Sequence, residues 1–101
     1  MAAKEFFDTL PEHADPARIA GIDNSYVFDV EGEGRWLVEL RDGKLTVTDG
    51  WTGEGDVVIR TSGETFDRLV SGEQNPMTAY MRGKIKIDGD LGVAMKLKSL
   101  F

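Results

Sequence analysis

The 101-residue sequence has no cysteine and a single histidine, His13. The missing cysteine excludes disulfide scaffolds, thiolate zinc sites and cysteine nucleophiles. The lone His13 leaves no histidine pair for a metal, and its proline-bounded segment PEHADP makes it a surface residue. The few serines do not fall in a G-x-S-x-G pattern. GEG and TGEG read as turns, since neither precedes the GK[ST] of a phosphate loop. No long apolar run is present, so neither a signal peptide nor a membrane span is expected. Positive charge is also scarce: 12 Lys and Arg stand against 18 Asp and Glu, a net −6, which argues against nucleic acid as a partner. The expectation is a cytoplasmic protein without cofactor or metal, with an enzyme as the weakest reading.

What is present fits one domain over residues 1–101. AAKEFFDTL reads as a short helix stopped near Pro11, and DPARIAG as a further helical turn capped by Asp15. The hydrophobic period then becomes two. Tyr26, Phe28 and Val30 share one face of a first strand, and Trp36, Val38 and Leu40 one face of a second. Asp42-Gly43 is a strong hairpin signal before a third strand, KLTVT. The glycine-rich loop DGWTGEG leads to a fourth strand, DVVIRT; Trp51 either anchors that loop on the sheet or sits at a pocket mouth. Thr61 and Glu64 are spaced as a capping box for a helix that presents Phe66, Leu69 and Val70. Asn75-Pro76 starts the next helix, with Met77, Tyr80 and Met81 in one stripe. KIKID is a fifth strand, and Asp90 caps a terminal helix over residues 91–101. The fold class is α+β: a five-stranded, mostly antiparallel sheet covered on one side by helices.

The terminal helix has more apolar surface than one contact consumes. At about 100° per residue its apolar side chains span an arc of roughly 220°, interrupted only by Lys98. Either it is wedged between the sheet and neighbouring helices, or one side faces a ligand or a partner. Leu100 and Phe101, at its end, are candidates for a movable lid. Met77, Met81 and Met95 either fill gaps in a core or form an adaptable wall, and the Tyr80 hydroxyl either meets a backbone group or anchors a ligand. The last twenty residues hold five basic and two acidic side chains, the only basic part of the chain. Lys84, Lys86, Lys96 and Lys98 could contact anionic head groups or a membrane surface. The competing role is protective: edge-strand lysines block strand pairing, and cations near a helix C-terminus complement its dipole.

The stretch NPMTAYMRGKIKIDGDLGVAMKL, residues 75–97, resembles the C-terminal signature of the sterol carrier protein 2 family. Members share its asparagine-proline helix start, a methionine-rich turn, a G-K-x-K-I strand and a G-[DN]-x-[GA]-x-A-x-K-L helix. FFDTLPEH is similar to the opening of bacterial members, and the chain ends in S-L-F, without the S-K-L-type address of peroxisomal ones. The resemblance implies an apolar tunnel between sheet and helices that takes fatty acids, fatty acyl-CoA or sterol-like lipids. It places Met77, Tyr80, Met81, Leu91, Met95, Leu100 and Phe101 in the wall, joined by Phe66 and Val70. An empty tunnel of about 300 Å³ would cost roughly 7 kcal/mol, against a total stability of about 5–15 kcal/mol. Such a tunnel must hold lipid, collapse partly, or be plugged. The expected function is lipid binding and transfer by a non-enzymatic monomer or homodimer; the alternative is an accessory protein that uses the same apolar surface to dimerise or dock a partner.

Overall fold

The computed structural model describes residues 2–13, 15–51 and 53–96. Helices α1 (Ala2–His13) and α2 (Pro16–Ile19) precede strands β1 (Asn24–Glu31), β2 (Gly34–Arg41), β3 (Lys44–Asp49) and β4 (Val57–Ser62). Helices α3 (Gly63–Ser71) and α4 (Pro76–Met81), strand β5 (Ile85–Gly89) and helix α5 (Leu91–Met95) follow. The strands lie in the order β3-β2-β1-β4-β5. The β1-β2, β2-β3 and β4-β5 pairings are antiparallel, and β1-β4 is parallel. No helix of the described residues is long and apolar enough to cross a membrane.

The meander β1-β2-β3 follows from alternation and turn chemistry. Tyr26 faces Val38, and Phe28 faces Trp36, all on the helix-covered side. At the β2-β3 turn Asp42 and Gly43 have φ of 52° and 74°, the two positive values that a type I′ hairpin requires. The connection from β3 to β4 then crosses the opposite face of the sheet. There Gly55 approaches Val27 so closely that a Cβ would lie 3.0 Å from Cγ2, and Arg35 Nε donates to the Trp51 carbonyl at 3.2 Å. This loop explains why Val27 and Leu37, on the face away from the helices, are nevertheless buried. Trp51 is thus tied to the sheet through its backbone, and its indole N–H donates to the Glu54 carbonyl within the loop.

Three local expectations change. Helix α1 continues through Pro11 to His13. A proline in the last turn removes one hydrogen bond, and the buried Ala3, Phe7 and Leu10 hold the helix in place regardless. The N-cap of α3 is Ser62, whose Oγ accepts from Thr65 N at 3.1 Å; Thr61 does not cap it. Thr61 remains on β4, continuing the inward row of Val57 and Ile59, and its hydroxyl donates to the Lys84 carbonyl at 3.1 Å. The terminal helix is described as Leu91–Met95, and residues 97–101 of its expected span lie outside the described residues.

The helix-covered layer has two unlike halves. Over β1 and β2, Phe7 stacks on Trp36 at 4.6 Å and on Phe66 at 5.4 Å, and meets Phe28 at 5.1 Å and Phe6 at 5.2 Å. This aromatic cluster is densely filled. Over β4 and β5 lie the short helices α4 and α5, and here the packing leaves a hollow.

Candidate functional site

The hollow has a volume of about 80 Å³. Its floor is the inward row of the sheet: Phe28, Ile59, Thr61, Ile85 and Ile87. Its roof is built by Phe66 and Leu69 of α3, Pro76, Met77 and Tyr80 of α4, and Ala94 and Met95 of α5. Among the described residues, the only hydroxyls in this wall belong to Thr61 and Tyr80. Thr61 donates to the backbone of Lys84; the Tyr80 hydroxyl makes no hydrogen bond among the described residues, and Tyr80 is 36% exposed. Left empty, this volume costs about 2 kcal/mol, which a small domain tolerates.

The roof helices α4 and α5 are each one to two turns long, too short to be stable alone, so caps and tertiary contacts define them. Asn75 Oδ1 accepts from Met77 N at 2.9 Å and Thr78 N at 3.3 Å, and Lys84 N closes the other end on the Ala79 carbonyl. Asp90 Oδ1 accepts from Gly92 N at 2.7 Å and Val93 N at 3.3 Å. Beneath α5, the buried Tyr26 donates its hydroxyl to the Val93 carbonyl at 2.9 Å, pinning the helix to the middle of the sheet. Burial, with a smaller contribution from the negative charge of Asp56, pushes the Tyr26 phenol up to about 12.

That bond makes a test. Tyr26→Phe should destabilise the fold by about 1–2 kcal/mol, since the Val93 carbonyl loses a partner. The raised phenol also sets a pH signature. The folded state holds the proton more tightly than the unfolded chain, so this stabilisation is complete below pH 10 and is lost as pH rises towards 12. Urea titrations from pH 8 to 11.5 should show a steeper alkaline loss for the parent than for Tyr26→Phe; parallel curves would refute the role given to this hydroxyl.

Of the wall residues expected from the sequence, the structure brings together Phe66, Met77, Tyr80 and Met95. Val70, Met81 and Leu91 lie outside the hollow's wall, exposed by 38%, 79% and 44%. Leu100 and Phe101 lie outside the described residues. Of the floor residues, Phe28 was expected on the apolar face of its strand, while Ile59, Ile85 and Ile87 lie on the expected strands DVVIRT and KIKID, and a strand facing a hollow reads like one facing a solid interior.

The candidate head-group lysines separate. Lys84 and Lys86 border a second, polar hollow of about 550 Å³, together with Arg60, Arg68, Asp29, Glu31 and Glu64. Lys96 lies elsewhere, its Nζ 3.4 Å from Asn24 Oδ1, and Lys98 is outside the described residues. His13 is exposed at the end of α1 and borders neither hollow.

Comparison with known proteins agrees with this architecture. The profile of the SCP-2 sterol transfer family matches residues 3–101. Human sterol carrier protein 2 is 36% identical over 104 aligned residues, which cover 99% of this chain and 19% of that protein. The solution structure of sterol carrier protein domain 2 of Helicoverpa armigera superposes with a TM-score of 0.75 at 33% identity, covering 98% of this chain and 82% of that one. The inverting sec-alkylsulfatase Pisa1 from Pseudomonas sp. contains a similar fold, with a TM-score of 0.84 at 25% identity over all of this chain and 16% of the enzyme. The chain thus spans only 16–24% of the length of the curated relatives it matches first.

Proposed function

Since the chain belongs to the SCP-2 sterol transfer family, we propose that it binds a lipid in the hollow beneath α3, α4 and α5 and passes it on. The candidate ligands are a fatty acid, a fatty acyl-CoA or a sterol-like molecule. The observation that carries this reading is the wall itself: a nearly unbroken apolar lining under two short helices, with unbranched Met77 and Met95 able to repack. About 80 Å³ is well below the roughly 300 Å³ of a small ligand pocket, so loading moves α4 and α5 outward. A bound chain then gains about 0.8 kcal/mol for each methylene taken from water. In this reading the chain performs no chemistry on its cargo; it supplies an apolar enclosure. Exposed Met81 and Leu91, near the roof, would touch the donor or acceptor membrane transiently.

Protein purified without detergent should carry lipid, detected by native mass spectrometry and identified after organic extraction. It should also bind fatty acid at micromolar concentration. An empty chain that binds neither fatty acid nor a sterol analogue would refute the proposal.

Among the described residues the exposed large hydrophobics, Val70, Met77, Tyr80, Met81 and Leu91, all lie on α3, α4 and α5 and favour one second reading. In that reading this face docks another subunit. A dimer that persists on dilution and binds no lipid would support it.

A further inference from the structure

The described methionines, Met77, Met81 and Met95, occupy three different places. Met81 is 79% exposed and lies outside the wall of the apolar hollow. Met95 lines the hollow from α5 and is less open to solvent. Met77 combines the two properties: it lines the hollow and is 37% exposed. Met77 and Met81 are one turn apart on α4, so the same short helix carries one thioether in the wall and one outside it. The chain has no cysteine, so an oxidant meets no thiolate that would react first.

A hydroperoxide reaching Met77 would change the wall chemically. The sulfur lone pair attacks the terminal peroxide oxygen, and an S–O bond forms as the O–O bond breaks. The proton on the transferred oxygen passes to the departing oxygen, which leaves as water or an alcohol. The thioether is thereby oxidised to a sulfoxide and the hydroperoxide is reduced. The product keeps the length of the side chain but is polar. Of the two hydroxyls in the wall, that of Thr61 already donates to the Lys84 carbonyl at 3.1 Å. The sulfoxide oxygen therefore turns to water on the exposed side of α4, or takes the Tyr80 hydroxyl and remains in the wall as a polar pair. In both cases an alkyl chain in the hollow loses an apolar contact. The fold has less at stake, because within α4 only Ala79 is buried.

We propose that Met77 is a modification site at which a hydroperoxide converts the apolar hollow from a lipid-accepting wall into a lipid-releasing one. This inference rests on the lipid-binding reading and adds control by oxidation. Met81, more exposed, oxidises faster without affecting the hollow, and Met95, more sheltered, oxidises last. Bound lipid covers Met77 from the inside and leaves Met81 open.

The test treats the full chain with hydrogen peroxide, locates each sulfoxide by peptide mass spectrometry, and titrates 1-dodecanol before and after. Oxidation that includes Met77 should weaken binding of the alcohol about tenfold, the scale of one uncompensated polar group in an apolar wall. The melting transition should persist, and methionine sulfoxide reductases should restore the affinity. Each variant is compared with itself across the treatment. Met81→Leu should lose affinity as the parent does, whereas Met77→Leu should change by less than about twofold. Met77→Gln, polar and unbranched but without sulfur, should bind as weakly as the oxidised parent with no peroxide added. Alcohol present from the start should slow sulfoxide formation at Met77 and leave the rate at Met81 unchanged. Three results would each overturn the switch while leaving the enclosure standing: Met77 unmodified when Met81 is oxidised, undiminished binding by the Met77 sulfoxide or by Met77→Gln, or an equal loss in Met77→Leu. Loss of the melting transition along with the affinity would mean damage to the fold and overturn it as well. An untreated parent that does not bind 1-dodecanol removes the enclosure and the switch together.

Discussion

Phe7→Ala is expected to destabilise the fold by about 3–5 kcal/mol, the usual cost of removing a fully buried aromatic ring. Phe7 is completely buried and touches four other rings: Phe6, Phe28, Trp36 and Phe66. The loss combines transfer of the ring to water with the void left among neighbours that cannot all close on it. Trp36 makes the site especially sensitive. Its indole Nε1 is buried with no hydrogen-bond partner, a cost the stacking on Phe7 offsets. A domain of this size has about 5–15 kcal/mol in all, so the variant would approach the limit of folding. Phe28 and Phe66 also border the apolar hollow, so the cluster forms one side of its wall. Urea denaturation should show a much lower midpoint with an unchanged slope. A loss under about 1 kcal/mol would mean that the cluster does not support the fold in this way.

The architecture was legible wherever one local rule operated alone. Alternation put Tyr26, Phe28, Val30, Trp36, Val38 and Leu40 on the helix side, and Asp42-Gly43 is the turn its dipeptide signals. Asp15, Asn75 and Asp90 cap the helices they precede. Thr61 shows where two rules compete. Read as T-x-x-E with Glu64 it signals a cap, but its place in the row Val57, Ile59, Thr61 keeps it on the strand, and Ser62 takes the cap. The parallel pairing of β1 with β4 depends on how residues 50–56 cross the far face of the sheet, which no short-range periodicity specifies.

The candidate wall was legible on its helices more than on its floor. Methionines and Tyr80 on short helices draw notice, whereas Ile59, Ile85 and Ile87 read as ordinary inward strand residues. A helical stripe also overstates burial when the helix is brief. In the six residues of α4 only Ala79 is buried, while Met81 of the same apolar stripe points away. Which part of an apolar arc meets a wall is decided by the neighbouring elements, here β5 beneath and α3 beside.

Ala94→Phe should abolish lipid binding while the protein stays folded. Ala94 is 6% exposed, lies on α5 and forms part of the hollow's roof. A phenyl ring there occupies much of the roughly 80 Å³ that an alkyl chain must enter first. Filling that space recovers part of the about 2 kcal/mol of void cost, and overpacking costs about 1–3 kcal/mol, so stability changes little in sum. Binding changes more. A chain displaced by about four methylenes loses about 3 kcal/mol, more than a hundredfold in affinity. Titration with 1-dodecanol reads this loss without interference from head-group charge, and a melting curve confirms the fold. Undiminished binding would place the lipid somewhere other than beneath α5.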